Sequence, residues 1–215
     1  MSYLTVNKKA EAKFIEKKSE FIGYVKRTET EEEAKAFIDY IKKMNSQATH
    51  NVYAYVIGKN MGIQRYSDDG EPQGSAGIPV LEVIKKQGIS DCTVVVTRYF
   101  GGILLGASGL VRAYSKGAAS AISEAGVVEK VKGLPVEITI EYDMLGKFQY
   151  FCEQNLFNIE KIQYTDKVKI TFYFEVDKKV DFEQKIIDVT KGKGIIEERD
   201  EDIFFKRENR LFLIS

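Results

Sequence analysis

The residues with most chemistry to offer fall in three short segments. Arg98-Tyr99-Phe100-Gly101-Gly102-Ile103-Leu104-Leu105-Gly106 joins a β-branched run to a helical pattern that opens at Ser108. Glycines let a backbone come close to a ligand, and a helix start offers unpaired N–H groups and a positive dipole end to an anion. Arg98 adds a charge able to grip phosphate or carboxylate through two nitrogens. Tyr99 and Phe100 offer flat faces for a base or a proline-like ring. Neither a P-loop nor a G-x-G-x-x-G pattern is present, so the same spacing also describes a tight strand–helix turn with packed aromatics.

His50, the one histidine, stands beside Asn51 just before a strand. It reads either as a proton-transfer or hydrogen-bonding group or as a structural residue. Ser67, Ser75 and Ser108 lie in glycine-bearing segments, but nothing resembles the G-x-S-x-G elbow that would pair one of them with a base. Asp68, Asp69 and Glu71 form a compact acidic loop without EF-hand spacing. It reads as a solvated turn or as a holder of Mg²⁺ through one or two carboxylates, with a phosphate ligand completing the shell. No other cofactor is expected. Whether the acidic loop and the Arg98 loop converge is left open by the sequence.

The elements that must position these residues follow from periodicity. A hairpin is expected over Ala12–Arg27, turning at Lys17–Glu20. Thr30 and Glu33 form a capping box for a helix with Ala34, Phe37, Ile38, Ile41 and Met44 on one face. Val52–Ile57 and a run ending near Tyr66 make a second hairpin. A helix from about Ala76 to Lys86 holds Pro79 in its first turn and ends at Gly88. Cys92–Thr97, β-branched on both faces, predicts an interior strand. Ser108 is expected to cap the next helix, whose apolar positions are Leu110, Val111, Tyr114, Ala118, Ala121 and Ile122 and whose terminator is Gly126.

Past a short junction at Lys130–Pro135 the pattern restarts. Val136–Tyr142 reads as a strand, and a helix capped by Asp143 follows, burying Leu145, Phe148 and Phe151 or Cys152. Phe157–Tyr164 and Val168–Val176 form a hairpin, and a helix carries Val180, Phe182, Ile186 and Val189 to Gly192. One last strand lies within Ile195–Phe205. That order predicts a ferredoxin-like β-α-β-β-α-β domain with two helices on a four-stranded antiparallel sheet. Leu211–Ile214 is expected to pack back or add an edge strand. Phe172, Tyr173 and Phe174 are expected to serve packing, since RNP-like motifs are absent.

The 215 residues therefore divide into two α+β domains, 1–133 and 134–215, held in a fairly fixed relation by a short junction. The 32 basic and 32 acidic side chains cancel, but the first domain holds 19 and 15 and the second 13 and 17. A phosphate-bearing partner is expected at the positive first part. No run of about 18 apolar residues is present and Met1–Ala10 lacks a secretory apolar core, so a cytoplasmic protein without membrane contact is expected. Cys92 and Cys152, without ligand-spaced partners, are expected to be buried and reduced.

The run Val95–Gly106, together with His50-Asn51 and the segment Ser67-Asp68-Asp69-Gly70-Glu71-Pro72-Gln73-Gly74-Ser75-Ala76-Gly77-Ile78-Pro79, resembles three blocks of the IMPACT/YigZ family in the right order, over about residues 17–125. The remainder resembles the small C-terminal domain of bacterial members, itself similar to the last domain of translation elongation factor G. The resemblance implies an N-terminal fold like the second domain of a ribosomal small-subunit protein, shared with GHMP sugar kinases. The resemblance implies that eukaryotic relatives act in translational control by binding the activator of an amino-acid-starvation kinase, but they carry an extra N-terminal protein-binding domain that is not expected here. Some bacterial relatives carry proline-dipeptidase labels, but a dinuclear peptidase needs several histidine and carboxylate ligands and this chain has one histidine.

Three functions remain in view. One is a non-catalytic protein that binds RNA or the ribosome in translation or its regulation, through the Arg98–Gly106 loop. Another is a regulator that binds a protein partner there. The third is a phosphate-ligand enzyme, with Arg98, Gly101, Gly102 and Ser108 at the anion and the acidic loop at Mg²⁺. The oligomeric state is left open.

Overall fold

A computed structural model describes residues 2–213. The chain divides into two compact units, Ser2–Glu129 and the part from Lys130 onward. The first contains β1 (Tyr3–Val6), β2 (Ala10–Glu16), β3 (Ser19–Arg27), α1 (Glu31–Met44), β4 (His50–Ile57), β5 (Ile63–Ser67), α2 (Gly77–Lys86), β6 (Cys92–Tyr99) and α3 (Ala107–Ala125). Its sheet runs β2-β3-β6-β4-β5, antiparallel throughout.

β6 lies at the centre, and period-two alternation gives it two dry faces. Val94 and Val96 pack into one core with Val80 and Ile84 of α2 and Tyr114 and Ala118 of α3. Val95 packs into another core with Phe37, Ile38 and Ile41 of α1. Small residues let α3 lie close on the sheet: a Cβ on Gly23 would come 2.2 Å from the Gly117 carbonyl oxygen. The expected cap of α1 is present, Thr30 Oγ1 accepting from Glu33 N at 3.2 Å, while Glu33 reaches back to Glu29 N at 2.8 Å. Met44, expected on the buried face, is half exposed because the helix ends there.

The second unit contains most of β7 (Val127–Ile140), then α4 (Leu145–Gln154), β8 (Ile159–Tyr164), β9 (Val168–Glu175), α5 (Lys179–Thr190), β10 (Ile195–Glu198), β11 (Asp202–Arg207) and β12 (Arg210–Phe212). β9 pairs with β7 and β8, β10 pairs with β7 over Val136–Thr139, and β11 and β12 extend the sheet. Phe148 and Cys152 of α4 and Phe182 and Ile186 of α5 pack on Val136, Ile138, Ile170 and Phe172.

The division between the units falls at Lys130, where the short junction is expected, and β7 spans it with Val131 and Leu134 buried. Several expectations for this unit are corrected. Asp143 does not cap α4. It lies in a 3₁₀ turn, and the capping position is taken by Met144 with no side-chain bond. Val180 is 75% exposed, and Thr190 takes a buried place on α5. The expected single last strand is two, broken where Asp200 and Glu201 stay exposed. Leu211 and Phe212 do form an edge strand, whereas Ile214 lies outside the described residues.

Phe172 is fully buried, and Tyr173 packs on Phe204 with ring centroids 4.8 Å apart. Both cysteines are free and buried. Among the described residues no helix is long and apolar enough to cross a membrane.

Candidate functional site

Arg98 is the penultimate residue of β6 and pairs with Phe21 of β3 on one side and His50 of β4 on the other. Sharing strand parity with Val94 and Val96, it points to the face covered by α2 and α3. There it is 5% exposed, its Nη1 donates to Glu71 Oε1 at 2.7 Å, and the Phe21 and Phe100 rings lie 5.5 and 5.3 Å from the guanidinium carbon. A guanidinium taken out of water needs a counter-charge, and Glu71 supplies it. Arg98 is therefore a buried partner of the acidic loop and not an exposed phosphate clamp. Nη2 makes only a long contact of 3.4 Å to Ser19 Oγ, and Nε is buried without a hydrogen bond.

The acidic loop and the Arg98 loop do converge, but the three carboxylates face three different tasks. Asp68 accepts from the backbone N–H groups of Gly74, Ala76 and Gly77 at 2.8–3.1 Å, closing the start of α2 in place of a side-chain cap at Ala76. Asp69 accepts from Lys42 Nζ and Asn51 N, both at 2.6 Å. Glu71 Oε1 receives Arg98 and also the Tyr114 hydroxyl at 2.7 Å. The carboxylates diverge, and among the described residues no group of three His, Cys, Asp or Glu is placed to hold a metal ion. Each of the three carboxylates instead has donors from the protein itself. Burial, followed by the bond to Glu71, pushes the Tyr114 phenol far above its ordinary range, so it stays a donor.

His50 lies within this convergence. Its Nδ1 is 2.8 Å from the Asp69 carbonyl oxygen, and its Nε2 is 3.8 Å from Glu71 Oε1. A carbonyl only accepts, so Nδ1 carries the hydrogen of this contact. Asn51 and Tyr99 have opposite parity and belong to the α1 side. Thr97 Oγ1 donates to Asn51 Oδ1 at 2.8 Å, and the Tyr99 hydroxyl donates to Asn45 Oδ1 at 3.0 Å. Tyr99 is thus held by its hydroxyl on that side, which corrects its reading as a stacking platform beside Phe100.

The glycines of the loop have distinct reasons. A Cβ on Gly101 would lie 1.9 Å from the Lys18 carbonyl oxygen, so the loop touches the β2–β3 turn backbone to backbone, and Gly101 N donates to Ser19 Oγ at 3.2 Å. Gly102 and Gly106 have φ of +82° and +72°, and Gly106 occupies the capping position of α3. Ser108, expected as the cap, is exposed one residue inside the helix start at Ala107 and makes no capping bond.

Between the two loops opens a cleft of about 410 Å³, with His50 and Glu71 beside the apolar walls of Pro72, Phe100, Leu104 and Leu105. Phe100 is 45% and Leu104 82% exposed. Beyond Leu105 a groove is lined by Lys17, Arg112 and Lys116, with Glu16 as its acidic member. Lys116 Nζ stands 4.3 Å over the Phe14 ring. Sequence reasoning missed Arg112 and Lys116, although their spacing of four puts them on one face of α3. It also missed Tyr114 as a polar partner, because its helical position reads as core.

Residues 17–122 match the model of the Impact N-terminal domain, and residues 138–193 match one described as a Domain of unknown function (DUF1949). IMPACT family member YvyE of Bacillus subtilis is 41% identical over 210 residues, spanning 98% of this chain and 97% of that protein. YigZ of Escherichia coli is 34% identical over 178 residues, 82% of this chain and 87% of YigZ. A crystal structure described as that of a hypothetical protein superposes with a TM-score of 0.59 at 31% identity, covering 91% of this chain and 96% of that one. Two domain matches in this order, with a relative aligned from end to end, place the chain in the IMPACT family as a YvyE/YigZ-like bacterial member.

Proposed function

We propose that this chain is a non-catalytic nucleic-acid- or ribosome-binding protein acting in translation or its regulation. The observation that carries the reading is the groove of Lys17, Arg112 and Lys116 beside the Arg98–Gly106 loop. Lys17, Lys18 and Arg112 are exposed, and no ion pair among the described residues engages them. Phosphate contact through such cations supplies sequence-independent affinity. The loop's role is then to position the groove, and Arg98 acts inside it with Glu71.

Two fold-level analogies support this reading. The antiparallel sheet flanked by α2 and α3 fits the ribosomal-protein-like expectation for the first unit. The order β10-β7-β9-β8 fits the ferredoxin-like expectation for the second. A phosphate-ligand enzyme is less favoured, because Arg98 and each of Asp68, Asp69 and Glu71, its candidate Mg²⁺ ligands, are already engaged with the protein. Binding of a protein partner is favoured by one observation, the 82% exposure of Leu104 on an otherwise well-buried domain.

The test is a binding titration of the full chain against ribosomes and structured RNA at two salt concentrations. Lys17→Glu with Arg112→Glu is expected to weaken binding at least tenfold and to flatten the slope of log K against log salt by roughly one to two. Absence of binding at low salt overturns the reading. Unchanged binding in the double variant removes this groove as the site.

A further inference from the structure

The basic groove and the apolar cleft adjoin, because Leu105 walls both. On the groove side stand Lys17, Arg112 and Lys116, and on the cleft side Phe100, Leu104 and Pro72. None of these three cations, nor Lys18, has an ion-pair partner among the described residues. Two of them occupy unusual places: Lys17 and Lys18 form the two-residue turn between β2 and β3 with φ of +44° and +65°, where Asn and Gly cost least. Phe100 is fixed from behind. Its N–H donates to Thr49 Oγ1 at 3.0 Å, Gly101 packs backbone to backbone on Lys18, and the Arg98 guanidinium carbon stands 5.3 Å from the ring centroid. The ring is nevertheless 45% exposed and lines the cleft. A flat ring already held in place loses little freedom when a second ring stacks on it.

Resting on the reading of the groove as a phosphate track, we infer that its nucleic acid is single-stranded RNA, with one unpaired base turned into the cleft against Phe100 while the adjoining phosphates lie along Lys17, Arg112 and Lys116. A duplex keeps its bases paired and stacked, so it offers the groove phosphates and leaves the cleft unused. An unpaired base, in a free strand or in a loop of a folded RNA, has open faces for an aromatic ring. Such stacking is tolerant of sequence, because every base has a π-face. The cleft of about 410 Å³ takes a base with its ribose, and Pro72 and the 82% exposed Leu104 give it further apolar contact.

Fluorescence anisotropy of the full chain at two salt concentrations tests this with a short single-stranded RNA, the blunt duplex of the same sequence, and an abasic strand of equal length and charge. The intact single strand is expected to bind at least tenfold more tightly than the duplex and at least fivefold more tightly than the abasic strand. Phe100→Ala is expected to cost at least fivefold with the slope of log K against log salt unchanged, since it removes a stacking surface and no charge. Leu104→Ala, at a position too exposed to matter for folding, is expected to cost several-fold with an unchanged Tm, and it decides the matter where Phe100→Ala unsettles Arg98. The chain has no tryptophan, so Phe100→Trp places a single reporter in the cleft. Its fluorescence is expected to be quenched saturably by the single strand and left unchanged by the duplex and the abasic strand.

Equal affinity for single strand and duplex, equal affinity for intact and abasic strands, or unchanged affinity in both Phe100→Ala and Leu104→Ala each overturns this inference and leaves the groove standing as a nucleic-acid site. In the last case the apolar cleft falls to a protein partner instead. Absence of any RNA binding at low salt overturns the groove reading and this inference with it.

Discussion

The two units build their cores in opposite ways. In the first, small residues bring backbones together, Gly23 against Gly117 and Gly101 against the Lys18 carbonyl, and a charged cluster of Glu71, Arg98 and Tyr114 is sealed beneath the helices. In the second, large rings meet one another: Phe174 and Phe182 lie 3.9 Å apart between centroids, and Phe172 lies 5.3 Å from Phe182. Aromatic packing tolerates rearrangement better than a desolvated ion pair or a backbone contact does. The first unit holds polar groups at fixed places and carries the candidate site. The second stabilises itself chiefly by apolar area.

That contrast is broken most directly by matched truncations. Glu71→Ala leaves Arg98 buried without a counter-charge and is expected to destabilise the first unit by about 3–5 kcal/mol. Phe172→Ala is expected to cost the second unit a similar amount, about 3–5 kcal/mol, through a cavity. Urea unfolding followed by hydrogen exchange, resolved by unit, separates the two. The contrast predicts that Phe172→Leu recovers most of its loss, whereas Glu71→Gln recovers little. Equal recovery in both units would show that the polar cluster is no more demanding than ordinary core.

A smaller effect sharpens the comparison through pH. The hydrogen bond from Lys169 holds the Glu137 carboxyl below the ordinary carboxylate range. A carboxyl whose pKa is lowered by folding contributes stability that is present above its unfolded pKa and lost as pH falls through the folded one. The second unit should therefore lose stability between about pH 5 and the folded pKa of Glu137, and Glu137→Gln should flatten that part of its acid-unfolding curve.

The smallest expected effect contrasts two helix starts. Thr30→Ala removes a side-chain cap and should cost about 1 kcal/mol. Ser108→Ala removes no capping bond and should stay within about 0.5 kcal/mol in the same thermal unfolding measurement.

Much of the first unit was legible because its signals are local. Thr30 and Glu33 announce a cap, and the β-branched run Cys92–Thr97 announces a strand covered on both faces. The Ser108 cap was misread because serine has the right chemistry, while Gly106, at φ +72°, had already set the helix start two residues earlier. The junction at Lys130–Pro135 coincides with the division between the units, but its backbone is strand: Pro135 lies opposite Tyr173, and a Cβ on Gly133 would come 2.7 Å from the Phe204 ring.

The site itself was half legible. His50, the acidic loop and the Arg98 loop were named, and their convergence is real. What spacing did not carry was which groups spend their charge on one another. Strand parity divides Arg98 from Tyr99, but pairing Arg98 with Glu71 and Tyr114 requires the fold.

The contact of Gly101 with the Lys18 carbonyl ties the cleft to the groove mechanically. Phe100 follows Arg98 on one side and precedes that contact on the other, and Lys17 and Lys18 form the turn it rests on. Any side chain at Gly101 would part the loop from the turn and shift the backbone atoms that set where these two lysines project. A position too crowded for a side chain therefore sets the register between the loop that walls the cleft and the turn that carries these two lysines.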